Sequence, residues 1–298
     1  MPELPDITVY LEALERRVVG RELKRVRLNN LFVLRTARPS IESLAGRRVL
    51  ALRRLGKRIA FGFDGREADP LWLVMHLMVA GRLQWQPVGQ TKDARGKHVL
   101  ATLEFETGHL VFTEAGTTKR ASLHVVSGDA GLAAHEPGGV DVGAITPEDF
   151  TAALTARNRT VKRVLTDPHV FSGIGNAYSD EILHAARLSP LKLTGALTAA
   201  ETERLLAAVQ TTLTVWTERL RAEAGDGFPA KVTAFRPEMA VHGKFGQPCP
   251  VCGKKVQRIR YADNETNYCP TCQTGGKLLA DRSLSRLLKG DWPKQAEE

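Results

Sequence analysis

The chain has 298 residues, and its 42 Lys and Arg against 33 Asp and Glu give a formal net charge of +9. The composition, 43% hydrophobic and 25% charged, is that of a globular protein and excludes disorder over most of the chain. No apolar run approaches the ~18 residues of a membrane span, and the charged N-terminal residues are unlike a secretion signal. At roughly 100–200 residues per domain, the length predicts two domains.

The basic residues concentrate at both ends of the chain. Residues 1–60 carry fourteen Lys and Arg against six Asp and Glu, residues 241–298 carry ten against six, and the middle is close to neutral. Any single basic cluster can be a solvated face, but two basic ends favour a polyanion that binds through phosphate contacts and counterion release. Nucleic acid is favoured over a membrane surface, because no basic amphipathic anchor is visible.

The first half of the chain is predicted to be one helix followed by short strands. Asp6 is a candidate N-cap of the helix and Gly20 its stop signal. Apolar residues lie between them at helical spacing, at Ile7, Leu11, Leu14 and Val18. Six strand-like runs follow, over Glu22–Leu28, Val49–Leu55, Arg58–Phe63, Leu71–Val79, Val99–Phe105 and His109–Thr113. Many short strands with close turns predict a sandwich or a barrel.

The second half is predicted to be helical after a linker from Gly138 to Pro147. Four helices are predicted, over Asp149–Ala156, Thr160–Thr166, Ala177–Ala186 and Thr198–Ala222. The run Gly173-Ile174-Gly175-Asn176 interrupts two of them, which predicts a helix, a two-part turn and a second helix.

All four cysteines of the chain lie in two CxxC pairs separated by sixteen residues, at Cys249, Cys252, Cys269 and Cys272. This spacing is typical of a four-cysteine zinc site, and a site with four protein ligands has no open position, so the metal is structural. Two disulfides or a redox pair are the alternatives, and the absence of a secretion signal disfavours disulfides.

A hairpin is predicted between the two cysteine pairs. Its strands would be Lys254–Tyr261 and Thr266–Tyr268, turning at Asp263-Asn264. Arg258 and Arg260 on this hairpin fit a nucleic-acid contact, although alternating basic residues on a hairpin can also face water.

The start of the chain is chemically distinctive. Pro2 is small, so removal of the initiator Met is expected to expose its secondary amine, whose ordinary pKa is near ~8. A secondary amine that attacks an aldehyde-level carbon gives an iminium ion, and Glu3 beside it could act as the acid or base. Two prolines before a helix could equally serve only as a helix start.

Three motifs occur in one order: Pro2-Glu3-Leu4-Pro5 followed by an acidic residue, the glycine-asparagine turn at Gly173–Tyr178, and a finger preceded by the run His242–Cys249. Together they resemble the formamidopyrimidine-DNA glycosylase/endonuclease VIII (Fpg/Nei) family of base-excision repair DNA glycosylases, over nearly the whole chain. The resemblance implies an α+β multidomain fold, with an N-terminal helix and two-layered β-sandwich, a helix–two-turn–helix domain and a C-terminal four-cysteine zinc finger. The expected bounds are 1–138 for the sandwich, 147–235 for the helical domain, 240–275 for the finger and 276–298 for a C-terminal extension.

The resemblance also implies a reaction. The expected protein is a bifunctional glycosylase and AP lyase that excises oxidised bases from damaged double-stranded DNA and cleaves the strand by β-elimination, with δ-elimination left open. One structural Zn2+ is the expected cofactor. We expect a cytoplasmic, bacterial-type monomer with no membrane contact.

Site residues follow from the resemblance by position. Pro2 matches the nucleophile, Glu3 the carboxylate that protonates the opening deoxyribose, and Lys57 a lysine that contacts phosphate and assists catalysis. Candidate DNA contacts are His76, Lys162, Asn176, Arg258 and Arg260. Taken alone, Lys57 could be a surface lysine and His76 a core histidine, and Glu181 is expected to have a structural role.

Departures from the family's pattern bear on the substrate. The family's void-filling Met has Val79 at its position here with Met78 one residue early, and the later wedge loop offers only Lys119 or Arg120. The segment Gly225–Val241, which caps 8-oxoguanine in relatives, is shorter. The finger's arginine aligns with Asn264, which leaves δ-elimination open. Formamidopyrimidines, 8-oxoguanine, oxidised pyrimidines, hydantoins and abasic sites therefore all remain candidate lesions.

The sequence leaves alternatives for the role of the C-terminal segment and for the function of the whole chain. After the finger, Asp281 could cap a short helix with one apolar face, formed by Leu284, Leu287 and Leu288, that packs on the protein or binds a partner. A protein that binds damaged or structured DNA without cutting it is the alternative function, and an unrelated zinc ribbon is another. The joint presence of Pro2, Glu3 and Lys57 disfavours the first, and the predicted domain order disfavours the second.

Overall fold

The computed structural model describes residues 1–65, 69–89, 96–261 and 264–280. The chain divides into two compact units: Met1–Pro137 with Trp216–Val232, and Gly138–Val215 with the described residues from Thr233 onward. Trp216–Val232 groups with the first unit and the finger groups with the helical segment, and the expected domain bounds stay predictions. Among the described helices, none is long and apolar enough to cross a membrane.

Helix α1 spans Leu4–Val18 and begins earlier than the sequence predicted. Glu3 is its N-cap, and the predicted cap Asp6 instead lies in the first turn, where its Oδ2 accepts the Glu3 N–H at 2.9 Å. Pro5 explains the difference, because its fixed φ suits a first helical turn that needs no N–H donor there. The face that includes Ile7 and Leu14 is fully buried in the core.

The first unit contains an antiparallel sheet whose strands follow the order β5-β7-β6-β1-β2-β3-β4-β8. The strands are β1 Glu22–Leu28, β2 Arg47–Leu55, β3 Arg58–Phe63, β4 Leu71–His76, β5 Gly81–Pro87, β6 Val99–Phe105, β7 Gly108–Glu114 and β8 Ser122–Ser127. The β1–β2 pairing covers only Glu22↔Arg48 and Leu23↔Arg47. It joins two four-stranded halves whose apolar faces share one core, as a two-layered sandwich requires.

Sequence reasoning misjudged the region after β4. The predicted strand Leu71–Val79 ends at His76, and a tight turn follows, in which Met78 adopts φ 51° and the Gly81 N–H donates to the Leu77 carbonyl at 2.9 Å. A Cβ at position 81 would lie 2.1 Å from that oxygen, so only glycine fits there. Strands β5 and β8 and the short helix α2, Gly128–Ala133, were not predicted.

The second unit carries helices α3 Pro147–Thr155, α4 Val161–Leu165 and α5 Asn176–Ala185, together with the first part of α6, Ala199–Ala224. The finger follows as a hairpin of β9 Gln257–Tyr261 and β10 Asn264–Tyr268 and helix α7 Pro270–Thr274.

Two predictions near the C-terminus need comment. The predicted turn residue Asn264 is the first residue of β10 and pairs with Tyr261, whereas Asp263 lies outside the described residues. The predicted helix at Asp281 to Leu288 also lies outside them.

Candidate active site and metal centre

The start of helix α1 buries the chain's first residues. Pro2 is buried, and Glu3 is 2% exposed. Burial lowers the pKa of the terminal amine of Met1. The nearby carboxylates of Glu3 and Asp6 raise this pKa, whereas the positive charges of Arg82 and Lys57 lower it further. The fold therefore places Glu3 and Lys57 near the chain start.

Lys57 lies on the turn that joins β2 and β3. Leu55 pairs with Arg58, which leaves Gly56 and Lys57 as a two-residue hairpin turn, and Gly56 supplies the left-handed φ of 61° at its first position. Burial lowers the pKa of the Lys57 ammonium below its ordinary value, and the Glu3 carboxylate partly opposes this. The turn thus fixes a half-buried amine near the Glu3 carboxylate.

His76 ends strand β4, opposite Arg58 on β3 and Ser122 on β8. Burial, followed by the charges of Arg58, Lys57 and His124, lowers its pKa to about 4. The imidazole is therefore neutral at pH 7 and carries one N–H. It is only half-buried, which leaves it able to donate a hydrogen bond to a phosphate oxygen.

The void-filling candidates lie on two loops of the first unit. Val79 is 60% exposed at the tip of the turn after β4, and Arg82 fastens this turn through the carbonyls of Val79 at 3.1 Å and Gly81 at 2.7 Å. Met78 is less exposed. Val79 is therefore the side chain that this turn presents outward.

A buried carboxylate organises the second loop, which sequence reasoning missed. Glu114 is 2% exposed and accepts the amide hydrogens of Arg120 at 3.0 Å and Ala121 at 3.2 Å. Lys119 Nζ donates to the Glu114 carbonyl, so its ammonium is held within the loop, whereas Arg120 is exposed. A lone Glu at the end of an apolar strand was the available signal.

In the second unit, Asn176 is the first residue of α5. Its Nδ2 donates to the Glu265 carbonyl of the finger hairpin at 2.8 Å. Lys162, expected to contact DNA, instead lies inside this unit: its Nζ contacts Asp180 Oδ1 at 2.5 Å, Ser179 Oγ at 3.0 Å and the Asn176 carbonyl at 3.2 Å. An ammonium has three donors. All three have partners within this unit, and the expected DNA contact of Lys162 stays a prediction.

Helix α5 binds the finger through buried carboxylates. The Asp180 Oδ2 contacts His242 Nδ1 at 2.8 Å and the Asn267 N–H at 3.1 Å. The Glu181 carboxylate accepts three consecutive amide hydrogens, those of residues 240, 241 and 242, at 2.7–2.9 Å. The structural role expected for Glu181 fits these contacts. Asp180 and His242 were missed, since their partners are about sixty residues away in sequence.

The four cysteines converge on one point. Their Sγ atoms lie within 4.8 Å of one another, with 3.3 Å between Cys252 and Cys269 and 4.0 Å between Cys249 and Cys272. All four are free thiols, and a tetrahedral ion with bonds of ~2.3 Å would separate its sulfurs by ~3.8 Å. Burial raises the pKa of Cys269, and that of Cys272 to about 11, so a bound cation must displace protons from both. The set fits a structural metal ion.

The finger's candidate phosphate contacts are already paired. Arg258 Nη1 lies 3.3 Å from Glu265 Oε2, and its guanidinium stacks 4.1 Å from the Phe245 ring centroid. Arg260 Nε lies 4.0 Å from the same carboxylate oxygen, with 63% of its side chain exposed. Both arginines therefore share one acidic partner, next to the position where the family's arginine is replaced by Asn264.

Comparisons with known proteins identify the family. Three family models match in chain order: the formamidopyrimidine-DNA glycosylase N-terminal domain over residues 1–120, its H2TH domain over 137–222, and the zinc finger found in FPG and IleRS over 246–275. The formamidopyrimidine-DNA glycosylases of Heliobacterium modesticaldum and Thermus thermophilus are each 31% identical, over 92% and 93% of this chain and 100% of their own length. An uncharacterized formamidopyrimidine-DNA glycosylase-like protein of Mycobacterium tuberculosis is 43% identical over 51% of this chain and 94% of its own length.

Solved structures support the same fold. A Lactococcus lactis FPG mutant bound to DNA containing Fapy-dG matches with a TM-score of 0.76 and 24% identity, over 92% of this chain and 100% of that one. The Lactococcus lactis Fpg bound to abasic-site DNA matches with a TM-score of 0.77 at the same identity, over 91% of this chain and 99% of its own. This chain therefore belongs to the formamidopyrimidine-DNA glycosylase family of DNA glycosylases.

Proposed function

We propose that the protein is a bifunctional DNA glycosylase and AP lyase that excises oxidised bases through an N-terminal proline Schiff base. The observation that carries this proposal is the buried start of α1, where Glu3 and Lys57 both act on the terminal amine. Removal of Met1 would convert the Pro2 nitrogen from an amide into a secondary amine in the same surroundings. The burial that lowers the pKa of the present terminal amine would favour the neutral, nucleophilic form of that amine.

The first chemical step joins Pro2 to the sugar. The Pro2 nitrogen lone pair attacks C1′ of the flipped nucleotide, the glycosidic bond breaks, and its electron pair leaves with the base. The attached nitrogen then loses its N–H proton, which passes to the departed base anion. Glu3 protonates O4′ as the deoxyribose ring opens, and the lone pair freed on the nitrogen forms the iminium double bond to C1′. The Glu3 carboxylate is close enough to Lys57 to raise the pKa of its ammonium, and in this proposal that ammonium holds a phosphate oxygen.

The second step is strand cleavage. The iminium acidifies the C2′ proton, and loss of that proton expels the 3′ phosphate by β-elimination. A further elimination would release the 5′ phosphate. Water finally hydrolyses the iminium and regenerates the Pro2 amine.

DNA binding in this proposal uses both ends of the chain. His76 offers a neutral N–H donor in the first unit, while Asn176 and the exposed Arg260 are the candidates in the second, with Arg258 beside it. We propose Zn2+ as the ion held by the four cysteines, since tetrahedral thiolate sites of this spacing are typical of zinc. The ion supplies folding energy to the finger and no step of the reaction.

The solved relatives and the two candidate wedge loops both bear on the choice of lesion. The solved relatives bind DNA containing Fapy-dG, an abasic site or carbocyclic 8-oxo-G. Val79 is short for a wedge, and Arg120 is the exposed side chain of the second loop. We therefore propose a substrate range of oxidised bases and abasic sites, with Val79 and Arg120 as the side chains that fill the void.

Borohydride trapping tests the reaction. Protein with a processed N-terminus is incubated with a duplex that contains an abasic site, and sodium borohydride reduces any iminium to a stable adduct. We expect an adduct with the wild type and none with protein that retains Met1. Glu3→Gln should lower base excision about 100-fold or more, whereas Glu15→Gln, an exposed carboxylate on the same helix, should leave it unchanged.

The outcomes separate the two candidate functions. If processed wild-type protein binds the duplex but gives no adduct, it is a damaged-DNA-binding protein on the same fold. A panel of lesion duplexes, analysed with and without hot alkali, then separates base excision from strand cleavage and identifies the preferred lesion.

A further inference from the structure

His184 contacts the four-cysteine cluster from outside the finger. It lies in the last turn of α5, is 6% exposed, and its Nε2 lies 3.2 Å from Cys249 Sγ. Cys249 itself is 2% exposed, so this contact is shielded from water. Neither the reaction nor the DNA contacts proposed above use this histidine.

The chemistry of the contact fixes its direction. A thiolate that binds a metal ion has only acceptor capacity, so the imidazole must supply the proton of any hydrogen bond between the two groups. Four thiolates around a dication carry a net charge of −2, and burial of that charge is costly unless donors surround the sulfurs. An N–H from His184 meets this requirement at the sulfur of Cys249.

His184 also belongs to the set of contacts that join α5 to the finger. Asp180 and Glu181 on the same helix already bind the backbone amides of residues 240–242 and Asn267 and the side chain of His242. Gln273 of α7 adds a bond from its Nε2 to the Leu188 carbonyl at 2.8 Å, three residues beyond α5. His184 is the member of this set that contacts the sulfur of a metal ligand, and it therefore connects α5 to the metal-binding thiols.

We propose that His184 is a positioning residue of the metal centre, whose Nε2–H donates to the Cys249 thiolate and slows loss of the ion. The proposal rests on the metal centre proposed above. Partners of this kind that orient metal ligands typically change metal affinity 10- to 100-fold when they are removed. The expected effect of removing this donor is therefore about a 10-fold loss of zinc affinity.

Chelator competition on the full-length protein measures this effect. His184→Phe keeps an aromatic ring but removes the donor, His184→Gln keeps an N–H at nearly the same reach, and His169→Gln changes an exposed histidine of the same unit. We expect about a 10-fold lower zinc affinity and faster zinc release for His184→Phe. His184→Gln should recover most of the loss, and His169→Gln should match the wild type.

A measurement on wild-type protein keeps the test independent of variant folding. Nitrogen-15 spectra of labelled histidine in the zinc-loaded protein report which ring nitrogen of His184 carries the proton. Protonated Nε2 supports the proposal. An Nδ1–H tautomer with bare Nε2, or a His184→Phe variant with wild-type zinc affinity, overturns it. If the wild type binds no zinc at all, the metal centre itself is wrong, which is a separate result.

Discussion

The two compact units bury different kinds of side chain. In the first unit the core is apolar, from Ile7 of α1 to Phe112 of β7, and among its described residues the buried carboxylates are those of Glu3, Asp6 and Glu114. In the second unit helix α5 alone buries Ser179, Asp180, Glu181 and His184. The first unit therefore uses a hydrophobic sandwich to hold a few reactive groups, whereas the second unit uses a polar network to hold its finger.

The ion pairs of the two units also differ, because those made by β1 in the first unit lie on the sheet surface. Arg25 and Arg27 of β1 pair with Glu104 on the sheet surface, and Lys24 pairs with Glu22 and Glu106. Part of the basic excess of the first sixty residues is thus paired within the sheet. Exposed pairs typically contribute about 0–1 kcal/mol, whereas breaking a buried pair costs about 3–5 kcal/mol. A charged pair is therefore expected to contribute far more to stability in the buried network of the second unit than on the sheet surface of the first.

The largest expected effect comes from Asp180→Asn. This change removes the charge that faces Lys162, whose side chain is only 12% exposed, and leaves a buried ammonium without its counter-ion. We expect the local opening free energy of α5 and β10 to fall by about 3–5 kcal/mol, measured by native-state hydrogen exchange.

Two controls sharpen this prediction. Glu104→Gln in the first unit removes the partner of Arg25 and Arg27, whose side chains are 59% and 47% exposed and stay hydrated, and should cost less than about 1 kcal/mol. Adding Lys162→Met to Asp180→Asn should recover most of the loss, since no buried charge then lacks a partner. Equal effects of Asp180→Asn and Glu104→Gln would contradict the contrast between the units.

A smaller effect on stability is expected when the pH is lowered and His76 takes up a proton. Its folded-state pKa of about 4 lies below the ordinary value of 6.5, so the unfolded chain binds the proton first as the pH falls. The stability due to neutral His76 is therefore complete above pH 6.5 and is lost as the pH falls toward 4. Between pH 7 and pH 5 we expect a loss of about 1 to 2 kcal/mol from this group.

The measurement is the free energy of urea unfolding of the first unit at both pH values. His76→Gln should lose about 1 to 2 kcal/mol less than the wild type over this range. His98→Gln, which changes an exposed histidine of the same unit, should lose as much as the wild type. A pH dependence that His76→Gln leaves unaltered would mean that His76 is not the buried neutral group described here.

The smallest expected effect is on DNA affinity. Glu265→Gln removes the carboxylate that Arg258 and Arg260 share and makes both arginines more available to phosphate. We expect duplex affinity to rise by up to about fivefold, the equivalent of one exposed ion pair, measured by fluorescence anisotropy. Glu148→Gln on α3 gives the same change in net charge at an exposed position. If both variants bind equally well, the arginines of the finger are not phosphate contacts.

Much of the fold could be predicted from local sequence patterns. The strands Glu22–Leu28, Arg58–Phe63 and Val99–Phe105 were predicted with the observed bounds, because apolar residues and turn signals define them locally. The metal centre was predictable for the same reason, since two CxxC spacings specify four convergent thiols. Residue types alone made Pro2 and Glu3 candidates for Schiff-base chemistry, and the resemblance assigned their roles and added Lys57.

The rest depends on contacts between distant parts of the chain. Nothing near Asp180 predicts that it binds His242, and nothing near His184 predicts that it contacts Cys249. Lys162 is an instructive case, because a lysine that matches a DNA contact by position is paired with a carboxylate eighteen residues later, which its local sequence does not predict. Sequence spacing identifies groups that act together locally, whereas burial and tertiary pairing decide which charges remain available.

The central claim is that the Pro2 nitrogen is the atom that attacks the sugar. Mass spectrometry of the borohydride-reduced adduct tests it directly, because trypsin releases the peptide Pro2–Arg16 from processed protein, well separated from Lys57. We expect the sugar remnant to lie on the Pro2 nitrogen in that peptide. A remnant on Lys57, or an adduct of equal yield in protein that retains Met1, would contradict it.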